Sequence, residues 1–212
     1  MARKAWLGLF FVFSSLSTLC VAQQNEFAVS VGGTVASGTK GRSCQFFIFP
    51  GCPQQTFGLD TDTVVSYEGT YAHRLGDFRV ASLYIELPVM GIPSRKIHRD
   101  QFPFFDVNNS SVFVTPSLKF KLLPKSWISP FVSTGAGFAY FGNSLSLSNS
   151  SAAGQIGAGL DFKTHIPFLG FRAEARDFIA GRPKVEQSLL GANSTPTVQH
   201  NVFMGAGVVL HF

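Results

Sequence analysis

Five histidines, His73, His98, His165, His200 and His211, are the side chains of this 212-residue chain best suited to proton transfer near neutral pH. Nucleophilic catalysis needs such a ring within hydrogen-bond reach of a Ser or Cys, with an acid behind it. No G-x-S-x-G elbow accompanies them, and Gly135-Ala136-Gly137 lacks the serine. His165 reads as a turn residue, and His98 and His200 as loop residues, so no catalytic residue is expected and the chain reads as a non-enzyme. Cys44 and Cys52 are spaced C-x7-C with no histidine nearby, which is not a zinc spacing. No metal ligand set and no cofactor are expected. The third chemical group is a set of charges at alternate positions of otherwise apolar segments: Glu68, Arg74, Glu86, Lys119, Lys121, Asp161, Arg172, Glu174 and Arg176.

The composition restricts where those charges can sit. Hydrophobic residues make up 45%, aromatic residues 14% and charged residues only 14% of the chain. A soluble domain carries about 25% charged residues. Disorder is excluded by the apolar content, and collagen and coiled coils by the lack of a three- or seven-residue period. A helical membrane bundle needs runs of ~18 apolar residues, and none follows the N-terminus. Basic residues are scattered singly rather than gathered into a stripe, so nucleic acid is not an expected partner.

The first 22 residues read as an export address. Arg3 and Lys4 precede the apolar run Ala5 to Phe13, and a Ser-rich stretch ends with the small residues Cys20 and Ala22. That is the layout of a cleaved signal peptide over 1–22, with the mature chain over 23–212. A lipid anchor on Cys20 is the competing reading, but Ser17-Thr18-Leu19 fits poorly before a lipidated cysteine. An uncleaved anchor would need a longer apolar core. Export leaves Cys44 and Cys52 as an even pair in a Gly/Pro-rich segment, which predicts one disulfide.

Eight segments with a two-residue period must position the charges. They are Phe27 to Val35, Val64 to Leu75, Phe78 to Met90, Ser111 to Leu122, Trp127 to Phe141, Ala152 to Lys163, Phe168 to Phe178 and Asn201 to Phe212. Each sets Val, Leu, Ile, Phe or Ala on one face against polar or charged residues on the other. Seven glycines, Gly32, Gly135, Gly137, Gly157, Gly159, Gly205 and Gly207, share the polar face. Gly76, Lys125 and Ile166 mark short turns. Gly38 to Asp62, Gly91 to Ser110 and Gly181 to His200 read as long loops. Long and short connections alternate, so all long loops fall at one end of an antiparallel sheet. Pro88, Pro116 and Pro130 fall within predicted strands, where they cannot donate to the ladder.

A soluble sandwich or lipocalin-like barrel would turn its apolar face inward. A membrane barrel inverts this, with apolar side chains outward to lipid and polar ones inward. The chain over 23–212 resembles the small eight-stranded outer-membrane barrels of Gram-negative bacteria, of the OmpA/OmpX type. The signal segment, the eight runs, the loop asymmetry and the terminus Val208-Val209-Leu210-His211-Phe212 carry the resemblance.

The resemblance implies an all-β, eight-stranded, antiparallel up-and-down transmembrane barrel in a porin-like superfamily. It implies insertion in outer-membrane lipid through the barrel-assembly machinery, which would read Val208, Leu210 and Phe212. No peptidoglycan-binding domain is expected after the barrel. The function expected is structural or one of surface interaction through the long loops, with an unidentified external partner. Eight strands leave a lumen about filled by side chains, so no wide pore is expected. The alternatives are a narrow channel for small or apolar solutes and a lipid-modifying enzyme. The nine charges are expected to pair across the lumen, with Glu174 and Glu86 as hubs.

Overall fold

The computed structural model describes residues 24–37, 39–43, 55–61, 63–99, 107–143, 149–181 and 198–212. The expected signal peptide and the pair Cys44 and Cys52 lie outside the described residues. Every described element is a strand: β1 (Asn25–Ala36), β2 (Thr39–Ser43), β3 (Gln55–Thr61), β4 (Val64–Asp77), β5 (Ala81–Arg99) and β6 (Val107–Val114). There follow β7 (Ser117–Leu122), β8 (Ile128–Asn143), β9 (Asn149–Lys163), β10 (Leu169–Gly181) and β11 (Val198–His211).

The strands form a closed, antiparallel, eight-stranded up-and-down barrel. Around the wall the order is β1, β4, β5, the β6/β7 strand, β8, β9, β10 and β11. Closure runs from Glu26 opposite His211 to Ala36 opposite Asn201. Asn25 and Phe212 exchange backbone hydrogen bonds of 2.8 and 3.0 Å at its end. Closure leaves no wall strand with a free edge, the condition for backbone to cross lipid. The 14 residues of β11 extend roughly 48 Å along the strand. At a tilt of roughly 40° this clears an apolar band of about 25 Å.

The two faces settle which solvent the wall meets. Outward Val65, Ile156 and Met204 are 58%, 59% and 61% exposed, whereas inward Thr34, Ser66 and Lys119 are fully buried. A water-soluble barrel would show the opposite sorting. The three short turns and both ends of the barrel chain, Asn25 and Phe212, lie at one end; the long connections lie at the other.

Two of the prolines explain why one predicted strand is divided. Glu86 faces Ser117 and Val89 faces Val114 in one unbroken register, so β6 and β7 are a single wall strand interrupted at Thr115-Pro116. The Thr115 N–H donates to the Pro88 carbonyl at 3.3 Å, and the Ala136 N–H donates to the Pro116 carbonyl at 3.2 Å. Neither proline can return the bond, so the ladder loses its alternate rungs there. Pro130 sits at the third position of β8, next to where β7 ends.

Two of the expected long loops are partly sheet. β5 continues past Gly91 to Arg99 and β6 begins at Val107, because a bulge between Ile92 and Arg95 carries the strand past Pro93. Within the first expected loop, β2 and β3 form a hairpin, and β3 extends the sheet by pairing with the loop end of β5.

Candidate functional site

The interior is filled in three layers. Nearest the short turns, Glu26 and Asp161 face Lys119, Lys121 and Arg172, contributed by β1, β9, β7 and β10. Arg172 grips Asp161 with two bonds, Nε to Oδ1 at 2.7 Å and Nη2 to Oδ2 at 3.0 Å. Its Nη2 also reaches Glu26 Oε2 at 3.3 Å. Lys119 Nζ lies 2.8 Å from Glu26 Oε2, and Lys121 Nζ lies 2.6 Å from Asp161 Oδ2 while also bonding Glu26. His211 Nδ1 is 3.5 Å from Glu26 Oε1. The cations also stack on buried rings. Lys119 and Arg172 lie 4.6 and 4.8 Å from the Phe131 centroid, a contact that desolvation strengthens.

One turn of the wall further in, Arg176 on β10 stands among three carboxylates. Its Nε is 3.0 Å from Glu68 Oε1 and 2.9 Å from Glu174 Oε2, and its Nη1 is 2.8 Å from Glu86 Oε1. Hydroxyls complete the shell. Ser30 donates to Glu174 at 2.6 Å, Thr70 to Glu68 at 2.8 Å and Ser117 to Glu86 at 3.1 Å. Glu68 Oε2 and Glu86 Oε2 take no hydrogen bond among the described residues. This layer therefore holds three carboxylates against one guanidinium, and acid is in excess.

The third layer is apolar and lies toward the long loops. Met90, Ile92, Phe113, Phe141, Phe178 and Phe203 are all buried against one another. The Phe113 ring meets Phe141 edge-on at 5.9 Å and Phe178 at 5.4 Å. Beyond it, Arg95 donates to Asn201 Oδ1 at 2.7 Å.

Two glycines make room for this packing. A Cβ at Gly157 would sit 2.7 Å from Arg176 Cγ, and one at Gly159 would sit 2.5 Å from Phe131 Cζ.

The structure brings together every charge of the expected network except Arg74. That residue lies at the short-turn rim and pairs with Asp77 at 3.2 Å, both partly exposed. Glu86 and Glu174 are in contact with Arg176, but the centres of the two ionic layers are Arg176 and Glu26. Glu26 was missed because it precedes the first apolar run. Its place in the alternation Glu26-Ala28-Ser30, opposite Phe27, was the available signal. The inward Phe113, Phe131, Phe141, Phe178 and Phe203 were missed because a strand that must face lipid already expects Phe.

Among the histidines, His165 lies exposed in the turn after β9. His73 Nδ1 contacts Asn25 Oδ1 at 2.8 Å, and His98 falls at the loop end of β5. His200 is on β11 rather than in a loop, with Nδ1 2.7 Å from Asp177 Oδ2 on the outer face. The nearby Ser37 hydroxyl accepts the His200 backbone N–H at 3.1 Å, and among the described residues no hydroxyl bonds the His200 ring. No group of His, Cys, Asp and Glu suited to a metal occurs among the described residues.

No family model matches the chain, and no curated protein sequence matches it. Solved structures do. The outer membrane protein OprG from Pseudomonas aeruginosa is similar over 89% of this chain and 96% of its own, with 14% identity and a TM-score of 0.50. Neisserial surface protein A is 11% identical, covering 90% of this chain and 98% of its own at a TM-score of 0.49. The outer membrane enzyme PagL is 12% identical, covering 86% and 97% at a TM-score of 0.43. The likeness to OprG establishes the fold as that of the small outer-membrane barrels.

Proposed function

We propose that this chain is an integral barrel of the bacterial outer membrane with a structural or surface-interaction role and no wide pore. One observation carries the reading: the lumen is crossed by two hydrogen-bonded ionic layers and one aromatic layer, all buried. Water and solutes would have to displace several ion pairs and a packed phenylalanine cluster to pass. The apolar outer wall suits lipid as its main partner. On this reading residues 1–22 are a signal peptide removed on export, and Val208, Leu210 and Phe212 are the residues met by the assembly machinery. The loop end would serve contacts outside the cell.

A lipid-modifying enzyme receives little support. Its best candidate group is the His200–Asp177 pair, and the neighbouring serine is engaged by backbone. A narrow channel receives no specific observation.

The test is conductance in planar bilayers of the refolded chain beside a variant with Phe113→Ala and Phe178→Ala. The wild type should give no steady current, and the double variant should leak. Steady large currents from the wild type would refute the reading. Fractionation should recover the mature chain with the outer membrane, starting at Gln23. Recovery in the soluble periplasm would refute the location.

A further inference from the structure

The two ionic layers of the lumen hold one more acid than their cations neutralise. In the layer nearest the short turns, Lys119 and Lys121 on β7 and Arg172 on β10 face Glu26 on β1 and Asp161 on β9, an excess of one positive charge. In the next layer, Arg176 on β10 faces Glu68 on β4, Glu86 on β5 and Glu174 on β10, an excess of two negative charges. Together the layers set five carboxylates against four cations. β8 contributes no charged residue. β11 contributes His200, on the outer face, and His211, whose ring faces Glu26 in the layer where cations already exceed acids. Arg74, Asp77 and Lys163 stand at the partly exposed rim, where water screens them. A net charge left in a dry interior is strongly unfavourable, and a buried carboxyl relieves it by binding a proton.

The hydrogen bonds single out one carboxyl. Arg176 Nε carries a single hydrogen, which goes to Glu174 Oε2 at 2.9 Å although Glu68 Oε1 also lies 3.0 Å away. Glu174 takes a second bond from Ser30, and Glu86 takes bonds from Arg176 Nη1 and Ser117. Glu68 keeps only the Thr70 hydroxyl on Oε1, and its Oε2 takes no hydrogen bond among the described residues. The Glu68 side chain is fully buried. Glu86 Oε2 is likewise unbonded, so the same layer also holds a free acceptor.

We propose that Glu68 binds one proton in the folded barrel at neutral pH and stands there as a neutral carboxylic acid, bringing the buried charge of the two layers to zero. The proton comes from the buffer, and the O–H bond on Glu68 Oε2 is the only bond formed. This inference rests on the closed lumen proposed above, since a hydrated lumen would screen the excess acid. It makes the barrel lose stability as pH rises. An unfolded glutamate releases its proton near pH ~4.3. Above that pH the folded chain holds one proton more than the unfolded chain, so the folding constant falls tenfold per pH unit until the folded barrel releases it too.

Two measurements on the full folded barrel in phosphatidylcholine vesicles test this. Infrared spectra at pH 7 should show the carbonyl stretch of a protonated carboxylic acid, shifted in heavy water. Glu68→Gln, a neutral isostere, should lose that band, and Arg79→Gln, an exposed charge in the turn between β4 and β5, should keep it. Urea unfolding between about pH 5.5 and 7 should show a folding constant that falls tenfold per pH unit more steeply in wild type than in Glu68→Gln. His211→Asn should retain the steeper wild-type dependence. Heat-modifiable gel mobility confirms that each variant is folded. Absence of the band from silent, folded wild type would overturn the proton while leaving the closed lumen standing. A band that survives Glu68→Gln, equal pH dependence of wild type and Glu68→Gln, or a steeper dependence lost in His211→Asn would overturn it as well. Steady currents from wild type would remove the closed lumen and the proposal with it.

Discussion

Arg176→Met tests the inner ionic layer most directly. The substitution keeps an unbranched apolar stem and removes the only cation among the described residues within bonding distance of Glu68, Glu86 and Glu174. Breaking a buried ion pair by deleting one partner costs about 3–5 kcal/mol. Here three carboxylates lose their partner at once, but they already exceed it in number and keep their hydroxyl donors Ser30, Thr70 and Ser117. We expect a loss near the upper end, about 5 kcal/mol. The rim pair offers an internal contrast. Arg74→Met breaks a bridge whose side chains are 21% and 54% exposed, and such pairs contribute about 0–1 kcal/mol. Glu174→Gln gives up one charge-assisted bond but removes part of the acid excess, so its loss should stay below half that of Arg176→Met. Urea unfolding in lipid vesicles, followed by tryptophan fluorescence and by gel mobility without heating, measures all three. If Arg176→Met and Arg74→Met unfold at the same urea concentration, the layer does not hold the barrel together and this electrostatic account is wrong.

Gly157→Val should destabilise by about 1–3 kcal/mol, because its Cβ would meet Arg176 Cγ at 2.7 Å; unfolding in the same vesicles checks it. Leu123 holds φ at 49° in the turn after β7, so Leu123→Gly should leave stability unchanged or raise it by up to about 1 kcal/mol. Deleting Phe212 should lower insertion into the outer membrane while leaving export intact, which fractionation reads. Thiol labelling of the denatured, unreduced protein should find neither Cys44 nor Cys52 free.

Much of the wall was legible because the two-residue period is imposed by physics on every strand with two different solvents. Phe27, Val29 and Val31 alternate with Glu26, Ala28 and Ser30, and no register slip can exchange them without placing Glu26 in lipid. Strand ends were less legible where bulges carry pairing past a proline, as at Ile92 to Arg95. Pro93 reads locally as a stop, and only the partner strand shows that the sheet continues. The charges were legible as a face but not as pairs. Alternation assigns Arg172 and Arg176 to the lumen, whereas their partners Glu26 and Glu68 come from strands separated by over 100 residues in sequence. The rim position of Arg74 follows from its place near the short-turn end of β4, three residues before Asp77 and opposite the inward Tyr84.

The aromatic layer and the ionic layers arise from one constraint. A wall whose outer face is committed to lipid must send its charges inward, and a barrel of eight strands has too little room to hydrate them. Charges placed there persist only if they meet one another, and the nearer layer achieves this with Glu26 and Asp161 shared among three cations. Toward the long loops the inward positions change to Met90, Phe113, Phe178 and Phe203, which need no partner and seal the ionic layers from that side. The short-turn side has no equivalent seal. Arg74, Tyr84 and Lys163 line an open cavity there instead, at the end where both Asn25 and Phe212 lie. The barrel is thus closed by apolar packing at one end and by paired charges at the other.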